Sequence, residues 1–308
     1  MVSRIGIHES VEAVFPPAVL RERLGDLDAD VAVVDTAGVA DVDALVTFAY
    51  EEAFLSAGLE WIHSVQAGVD KFPFDDLDES AVALTNSTGT HGDSVGETVA
   101  GYMLSFARRL HTFRDQQADR EWAWPAWDEA FTLDGSSLCV VGLGTLGGGI
   151  AARADALGMD VTGVKRTPTP VDHVETVYPT RDLQEAIADA KFVALAVPLT
   201  PATEGLIGAP ELEAMRDDAT LVNVARGDVV DQDALVDTLR EDGLAGAALD
   251  VFEEEPLPED SPLWGMDKVV VTPHASAANR DYPDRIAALV RENEQRITSG
   301  DGLVNRVV

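Results

Sequence analysis

Short apolar runs alternate with helical stretches over most of this chain. Between Arg4 and Asn86 the runs RIGIH, DVAVVD, ALVTF, WIHSV and VALTN are each bounded by polar or turn-forming residues. Runs of that length and β-branched content predict strands, and their alternation with helical segments predicts a first α/β layer. From Ser137 a second series follows: SLCVV, DVTGV, KFVALAV, ATLVNV, GAALDV and KVVVT. Helical stretches such as Thr145 to Leu157 and Gln232 to Glu241 separate these runs. Strands apolar on both sides belong to a parallel sheet with helices on both faces. The fold class is therefore α/β, with two doubly wound parallel-sheet domains of Rossmann or flavodoxin type and an interdomain cleft.

Three further segments complete the pattern. Ser94 to Thr112 predicts one long helix, with Val95, Val99, Met103, Phe106 and Leu110 on a single stripe. Glu121 to Trp127, EWAWPAW, is aromatic and broken by Pro125, and reads as a packed connection. Pro283 to Ile297 predicts an amphipathic helix, with Ile286, Leu289, Val290, Asn293 and Ile297 on one face.

Charge narrows the partners. The 308 residues hold 55 Asp+Glu against 22 Lys+Arg, a formal net charge of −33. Such a chain repels the phosphates of nucleic acid and the anionic surface of a membrane. The acid is dispersed rather than blocked into a tail, so it decorates folded surface. This composition is similar to that of proteins from salt-accumulating halophiles, where salt screens self-repulsion, and the fold is expected to loosen in low salt. The one cysteine, Cys139, lies in an apolar run and reads as a small core residue. No metal-ligand spacing stands out. The start, MVSRIGIHES, lacks the basic head and apolar stretch of a signal peptide, and no apolar segment is long enough for a bilayer. The cytoplasm is the expected compartment.

The segment VVGLGTLGGG, Val140 to Gly149, carries Gly142, Gly144 and Gly147 in the spacing G-x-G-x-x-G, with Thr145 and Leu146 inside the turn. It follows a predicted strand and opens a predicted helix, the context in which this motif binds a dinucleotide. One glycine allows the tight turn, the next lets backbone approach a pyrophosphate, and the third lets helix and strand pack closely. Free N–H groups at the helix N-terminus face the phosphates. Gly148 and Gly149 follow at the start of this helix, where glycine costs stability. At the end of the next strand such sites usually hold an acidic residue for the ribose hydroxyls. Here stand Lys165, Arg166 and Thr167, in a chain with only four lysines. Two cations and a hydroxyl suit a 2′-phosphate, so the expected cofactor is NADP(H), with NAD(H) accepted more weakly.

Three more segments fall at the ends of predicted strands, where open α/β sheets bind ligands. They are NVARGDVVD with Arg226, LDVFEEEPLP with Asp250 and Glu255, and VVVTPHAS with His274. The ordered set GLGTLG, VPLTPAT, NVARG, ALDVFEEEPLP and TPHAS, joined in the first half by SVQAGVD and LTNSTGTHGDSVGE, resembles the D-isomer-specific 2-hydroxyacid dehydrogenase family. The KRT after the second strand resembles its NADP-using glyoxylate/hydroxypyruvate and 2-ketoacid reductase branch.

The resemblance implies hydride transfer between NADP(H) and a small 2-oxo acid or D-2-hydroxy acid. It implies that residues 1–99 and 281–308 form a substrate domain and 100–280 a dinucleotide domain. His274 would be the acid/base, Glu255 its hydrogen-bonded carboxylate, and Arg226 the clamp on the substrate carboxylate. Asp250 would hold the nicotinamide carboxamide. Val197, Pro198, Thr203, Asn223, Val224, Ala225 and Ser276, with His274, would line the cofactor cleft. Ala67, Gly68 and Val69 would offer backbone N–H groups to the substrate, and the chain would be a homodimer through its cofactor domain. Two alternatives stand beside this reading: a non-catalytic dinucleotide sensor of corepressor type, and an NAD-dependent formate- or phosphonate-oxidising relative. A sensor has little need for Arg226, Glu255 and His274 together, and Lys165-Arg166 speaks against the NAD-using branch.

Overall fold

Two separate parallel sheets organise the computed structural model, which describes residues 2–308. The chain up to Thr90 together with Ala278–Val308 forms one unit, and His91–Ala277 forms the other.

In the first unit β1 (Arg4–His8), β2 (Asp30–Val34), β3 (Ala44–Thr47), β4 (Trp61–Ser64) and β5 (Ala83–Thr85) pair in the order β2-β1-β3-β4-β5. That is the flavodoxin-like order, with the crossover helices on the two faces. Ile5, Ile7, Val46 and Trp61 pack on one face with Leu20 of α1 (Pro17–Arg23) and with Ile286 and Val290 of the C-terminal helix, Tyr282–Ser299. Leu45, Ile62 and Leu84 pack on the other with Leu77 of α2 (Phe74–Glu79). Burying each such side chain contributes about 1.5–3 kcal/mol. The polar member of the C-terminal stripe, Asn293, is fully buried and exchanges two hydrogen bonds with the backbone of Val304, at 3.1 and 2.8 Å.

The second unit begins with α3 (Gly92–Ala107) and α4 (Leu110–Asp119) and continues into the larger sheet. Its strands are β6 (Ser137–Val141), β7 (Asp160–Val164), β8 (Thr176–Tyr178), β9 (Phe192–Leu195), β10 (Thr220–Asn223), β11 (Gly246–Leu249) and β12 (Val269–Val271). They pair in parallel in the order β12-β11-β10-β9-β6-β7-β8, so the topological switch point lies between β6 and β9. The helices are α5 (Thr145–Ala156), α6 (Leu183–Ile187), α7 (Ala209–Ala214) and α8 (Gln232–Arg240). Cys139 is completely buried among Val193, Leu195 and Leu221, and burial pushes its thiol up to about 12, so it stays an inert core residue.

Two sequence expectations need correction, and one strand was not foreseen. The helix expected from Ser94 to Thr112 is two helices, because Arg109 takes a left-handed conformation with φ 58°. His111 then turns back, its ring 4.6 Å from that of Phe106, and Leu110 leaves the apolar stripe for solvent. The EWAWPAW segment is not packed within the described residues: Trp122, Trp124 and Trp127 are 97%, 89% and 94% exposed. β8 is a strand too short for its apolar run to stand out in the sequence. The compact units part at Thr90 and at Ala277, near the expected 99 and 280, and α3 packs against α5.

That helix pair explains one of the two extra glycines, Gly149; a Cβ on Gly148 would meet nothing within 4 Å. A Cβ on Gly149 would lie 2.9 Å from the Gly92 Cα, and one on Gly96 only 2.7 Å from the Gly149 carbonyl carbon. The backbones of α3 and α5 therefore touch, and the helix propensity lost at Gly149 is set against contact that no side chain would permit.

Candidate active site

All the candidate groups of the second unit lie beyond the carboxyl ends of its strands. Gly142 follows β6, Lys165 follows β7, Val197 follows β9, Arg226 follows β10, Asp250 follows β11 and His274 follows β12. The last three strands are neighbours in the sheet, so register alone brings Arg226, Asp250 and His274 to one stretch of its edge.

The glycine turn has the geometry of a dinucleotide cradle. Gly142 has φ 99°, and a Cβ there would lie 2.7 Å from the Ala196 carbonyl oxygen and from Val197 Cγ1. A Cβ on Gly147 would sit 2.9 Å from the Gly142 carbonyl carbon and 3.1 Å from Val140 Cγ1. Gly144, the N-cap of α5, differs: a Cβ there would meet nothing within 4 Å. The protein itself does not demand glycine at that position, so the open space before the helix N-terminus is what a pyrophosphate would use. Thr145 and Leu146 form the first turn of that helix.

The cationic pair sits where the ribose of a bound nucleotide would lie in such a sheet. The backbone N–H of Lys165 donates to Tyr178 at the end of β8, at 3.0 Å, so the unforeseen strand fixes this position. Lys165 Nζ reaches Thr169 Oγ1 at 3.4 Å, and Arg166 and Thr167 are exposed. Among the described residues neither Lys165 nor Arg166 has a carboxylate ion-pair partner, whereas Lys191 pairs with Asp218 and Lys268 with Asp242.

The other cleft residues shape the loops. Thr203 uses its hydroxyl to hold its own turn, donating to the Pro198 carbonyl at 2.6 Å and accepting from Thr200 N–H at 2.8 Å. Asn223 is buried, donates to the Arg226 carbonyl at 3.0 Å and accepts from the Ala225 N–H at 3.0 Å, while Val224 and Ala225 are buried beside it. This turn sets the start of the Arg226 side chain, whose Nη1 donates to the Ala225 carbonyl at 2.8 Å.

His274 and Glu255 are joined by a hydrogen bond. His274 Nδ1 lies 2.8 Å from Glu255 Oε2, and Glu255 Oε1 accepts the Phe252 N–H at 3.1 Å. A carboxylate only accepts, so Nδ1 carries the proton and Nε2 is left for a ligand. The histidine side chain is 46% exposed, enough to reach one. His274 has φ 52°, in the left-handed region that non-glycine residues rarely adopt. The surrounding loop holds it there. Asp250 is completely buried, accepts the Ala275 and Ser276 N–H groups at 2.8 Å each and the Thr272 hydroxyl at 2.6 Å, and its carbonyl accepts the His274 N–H at 2.8 Å. Sequence reasoning assigned Asp250 to a cofactor; three of the roughly four acceptor positions of its carboxylate are used to build the His274 loop. It also missed Gly227, where a side chain would collide with the Phe252-Glu253 peptide that leads to Glu255. A glycine directly after Arg226 was visible, but what it faces was not.

In the first unit Ala67, Gly68 and Val69 form the turn after β4, where the Ala67 carbonyl accepts from Asn86 Nδ2 at 2.7 Å and Val69 is buried. No group of His, Cys, Asp and Glu residues among the described residues could hold a metal ion, and none of the described helices is long and apolar enough to cross a membrane.

A parallel sheet of this order, a glycine turn shaped for pyrophosphate and a carboxylate-oriented histidine at its carboxyl edge together define a nicotinamide-dinucleotide-dependent oxidoreductase. Residues 100–276 match the family model described as "D-isomer specific 2-hydroxyacid dehydrogenase, NAD binding domain". The chain is 35% identical over 284 residues to a glyoxylate reductase of Pyrococcus furiosus, covering 88% of this chain and 84% of that protein. It is 34% identical over 244 residues to a D-3-phosphoglycerate dehydrogenase of Methanocaldococcus jannaschii, covering 79% of this chain and 46% of that protein. Its fold is similar to a D-isomer specific 2-hydroxyacid dehydrogenase from Xanthobacter autotrophicus Py2, solved with NADPH and MES. There the TM-score is 0.85 at 30% identity, covering 100% of this chain and 98% of that one. The chain belongs to the D-isomer specific 2-hydroxyacid dehydrogenase family and has its 2-hydroxyacid dehydrogenase/2-oxoacid reductase function. Nothing in these relatives supports the dinucleotide-sensor alternative.

Proposed function

We propose that this chain is an NADP(H)-preferring reductase of small 2-oxo acids of the glyoxylate and hydroxypyruvate class, yielding D-2-hydroxy acids. The observation that carries the catalytic reading is the 2.8 Å hydrogen bond from His274 to Glu255, which leaves the other ring nitrogen for substrate. The dinucleotide, when bound, supplies or accepts the hydride. His274 Nε2 donates a proton to the ketone oxygen during reduction and takes it back from the hydroxyl during oxidation. Glu255 holds the ring's orientation and its Nδ1–H tautomer. Arg226 clamps the substrate carboxylate with its planar fork of donors and polarises the carbonyl, and Ala67, Gly68 and Val69 are the candidate backbone donors to the substrate in the first unit.

NADP(H) preference is supported by Lys165 and Arg166, two cations without ion-pair partners among the described residues of so acidic a chain. The Xanthobacter relative was solved with NADPH, which agrees. A homodimer through the cofactor-binding unit is supported by the exposed tryptophans, since apolar surface of that kind marks contact with a partner. A cytoplasmic enzyme fits the same reading.

The test is a panel of small 2-oxo acids with NADPH and with NADH, followed by absorbance in molar salt, alongside His274→Ala. Turnover should favour NADPH, and the variant should lose about 10²- to 10⁴-fold in kcat while still binding NADPH. Wild-type turnover in the variant would remove His274 from its role.

A further inference from the structure

The loop that carries His274 is held from outside by helix α3. Thr98 Oγ1 donates to the Ser276 carbonyl at 3.0 Å, and Tyr102 Oη lies 2.6 Å from Thr272 Oγ1. The two residues are four apart on α3, one helical turn, and so present hydroxyls on one face to the two ends of the 272–276 loop. The direction of the tyrosine bond follows by elimination. Thr272 has one hydroxyl proton and gives it to the Asp250 carboxylate, which only accepts, so the Tyr102 phenol must donate to Thr272. The chain of donors thus runs Tyr102, Thr272, Asp250, and the same carboxylate fixes the N–H groups of Ala275 and Ser276. Burial raises the Tyr102 phenol to about 12, which keeps it a donor over the whole working pH range.

We propose that Tyr102 and Thr98 are positioning residues for catalysis, a two-point clamp by which α3 holds His274 in its left-handed conformation and in line with Glu255. The proposal rests on the reading of His274 as the acid/base. A histidine at φ 52° persists only where its surroundings over-determine it, and the clamp supplies that constraint from a helix that does not itself touch the reacting atoms. It also ties the catalytic loop to the dinucleotide turn, because the same helix meets α5 backbone to backbone at Gly92, Gly96 and Gly149.

The test is kinetic and by hydrogen exchange, on the full-length enzyme. Tyr102→Phe, which removes only the phenolic oxygen, should lower kcat about tenfold, the effect of one lost hydrogen bond at a critical position. The oxo-acid KM and the NADPH Kd should stay within about twofold, because Arg226 and the glycine turn are untouched. The amides of Ala275 and Ser276 should exchange faster while those of residues 142–147 keep their protection. Thr98→Val should act in the same direction, and Thr98→Ser, which restores the hydroxyl, should recover the wild-type rate. Unchanged kcat and exchange in Tyr102→Phe and Thr98→Val would overturn the clamp, and so would an equal weakening of kcat and NADPH binding, which signals general loosening. If Tyr102→Phe does not fold, the Thr98 pair decides by the same readouts. Wild-type turnover in His274→Ala would sink the acid/base reading instead, leaving the exchange data to judge the clamp separately.

Discussion

Gly144 and Gly147 make a controlled pair, two glycines of one motif with opposite surroundings. In Gly147→Ala the new Cβ would lie 2.9 Å from the Gly142 carbonyl carbon and 3.1 Å from Val140 Cγ1. The nearest atom to that Cβ is the Gly142 carbonyl oxygen, far inside contact distance, so α5 must move away from the turn after β6 by more than about an ångström. Overpacking of this kind costs about 1–3 kcal/mol. At roughly 2–4 °C per kcal/mol for a chain of this size, Tm should fall by several degrees. In Gly144→Ala the Cβ enters open space, and φ −86°, ψ −155° is extended backbone that alanine adopts. Its Tm should stay within about 2 °C of wild type, since the smaller entropy of the unfolded chain offsets slight strain. The same methyl stands where a pyrophosphate must approach, so NADPH should bind at least about tenfold more weakly, or about 1.4 kcal/mol. Thermal unfolding in molar salt and NADPH titration by calorimetry measure both quantities. If Gly144→Ala binds NADPH like wild type, no ligand approaches there and the cradle argument fails. If Gly147→Ala keeps the wild-type Tm, the steric argument fails independently.

Three other outcomes are expected. Lys165→Asp with Arg166→Ala should move the kcat/KM preference from NADPH toward NADH; unchanged preference would place the 2′-phosphate elsewhere. His63 is completely buried in β4, where desolvation lowers its pKa from 6.5 to about 3, so below pH 6.5 the unfolded chain takes up a proton that the folded one refuses. Its contribution is therefore complete above pH 6.5 and is lost as pH falls toward 3, by up to about 1.4 kcal/mol per pH unit and roughly 5 kcal/mol in all. Unfolding free energies from urea titrations at several pH values, wild type minus His63→Asn, should show that slope, and a flat difference would refute it. Replacing Trp122, Trp124 and Trp127 together by serine should lower the mass measured by light scattering to that of a monomer with little loss of Tm; an unchanged mass would move the interface off this segment.

Most of the fold was legible because it is written locally. Eleven apolar runs correspond to strands, since a parallel strand buried on both faces needs little beyond its own residues to declare itself. The glycine turn, Arg226, Glu255 and His274 were legible for a related reason: each lies within a few residues of a strand end, and open parallel sheets gather such ends along one edge. β8 escaped because its three residues carry too short an apolar signal. The break at Arg109 escaped because the apolar period continues through it, while the Phe106–His111 contact bends the chain.

What the chain order alone determined is therefore the alternation of elements, the strand-edge location of the chemistry and the scarcity of positive charge outside Lys165 and Arg166. Tertiary structure decided which residues serve that chemistry from a distance. Gly149 looked like a helix defect until Gly92 lay against it, the EWAWPAW segment read as a packed connection until its tryptophans stood exposed among the described residues, and Asp250 gained a second task once the loop of His274 closed around it. Tyr102 and Thr272 are 170 positions apart. The periodicity of a segment reports which side it buries, but hydrogen bonds and close backbone approach are pairwise, and the second partner is known only once the chain has folded.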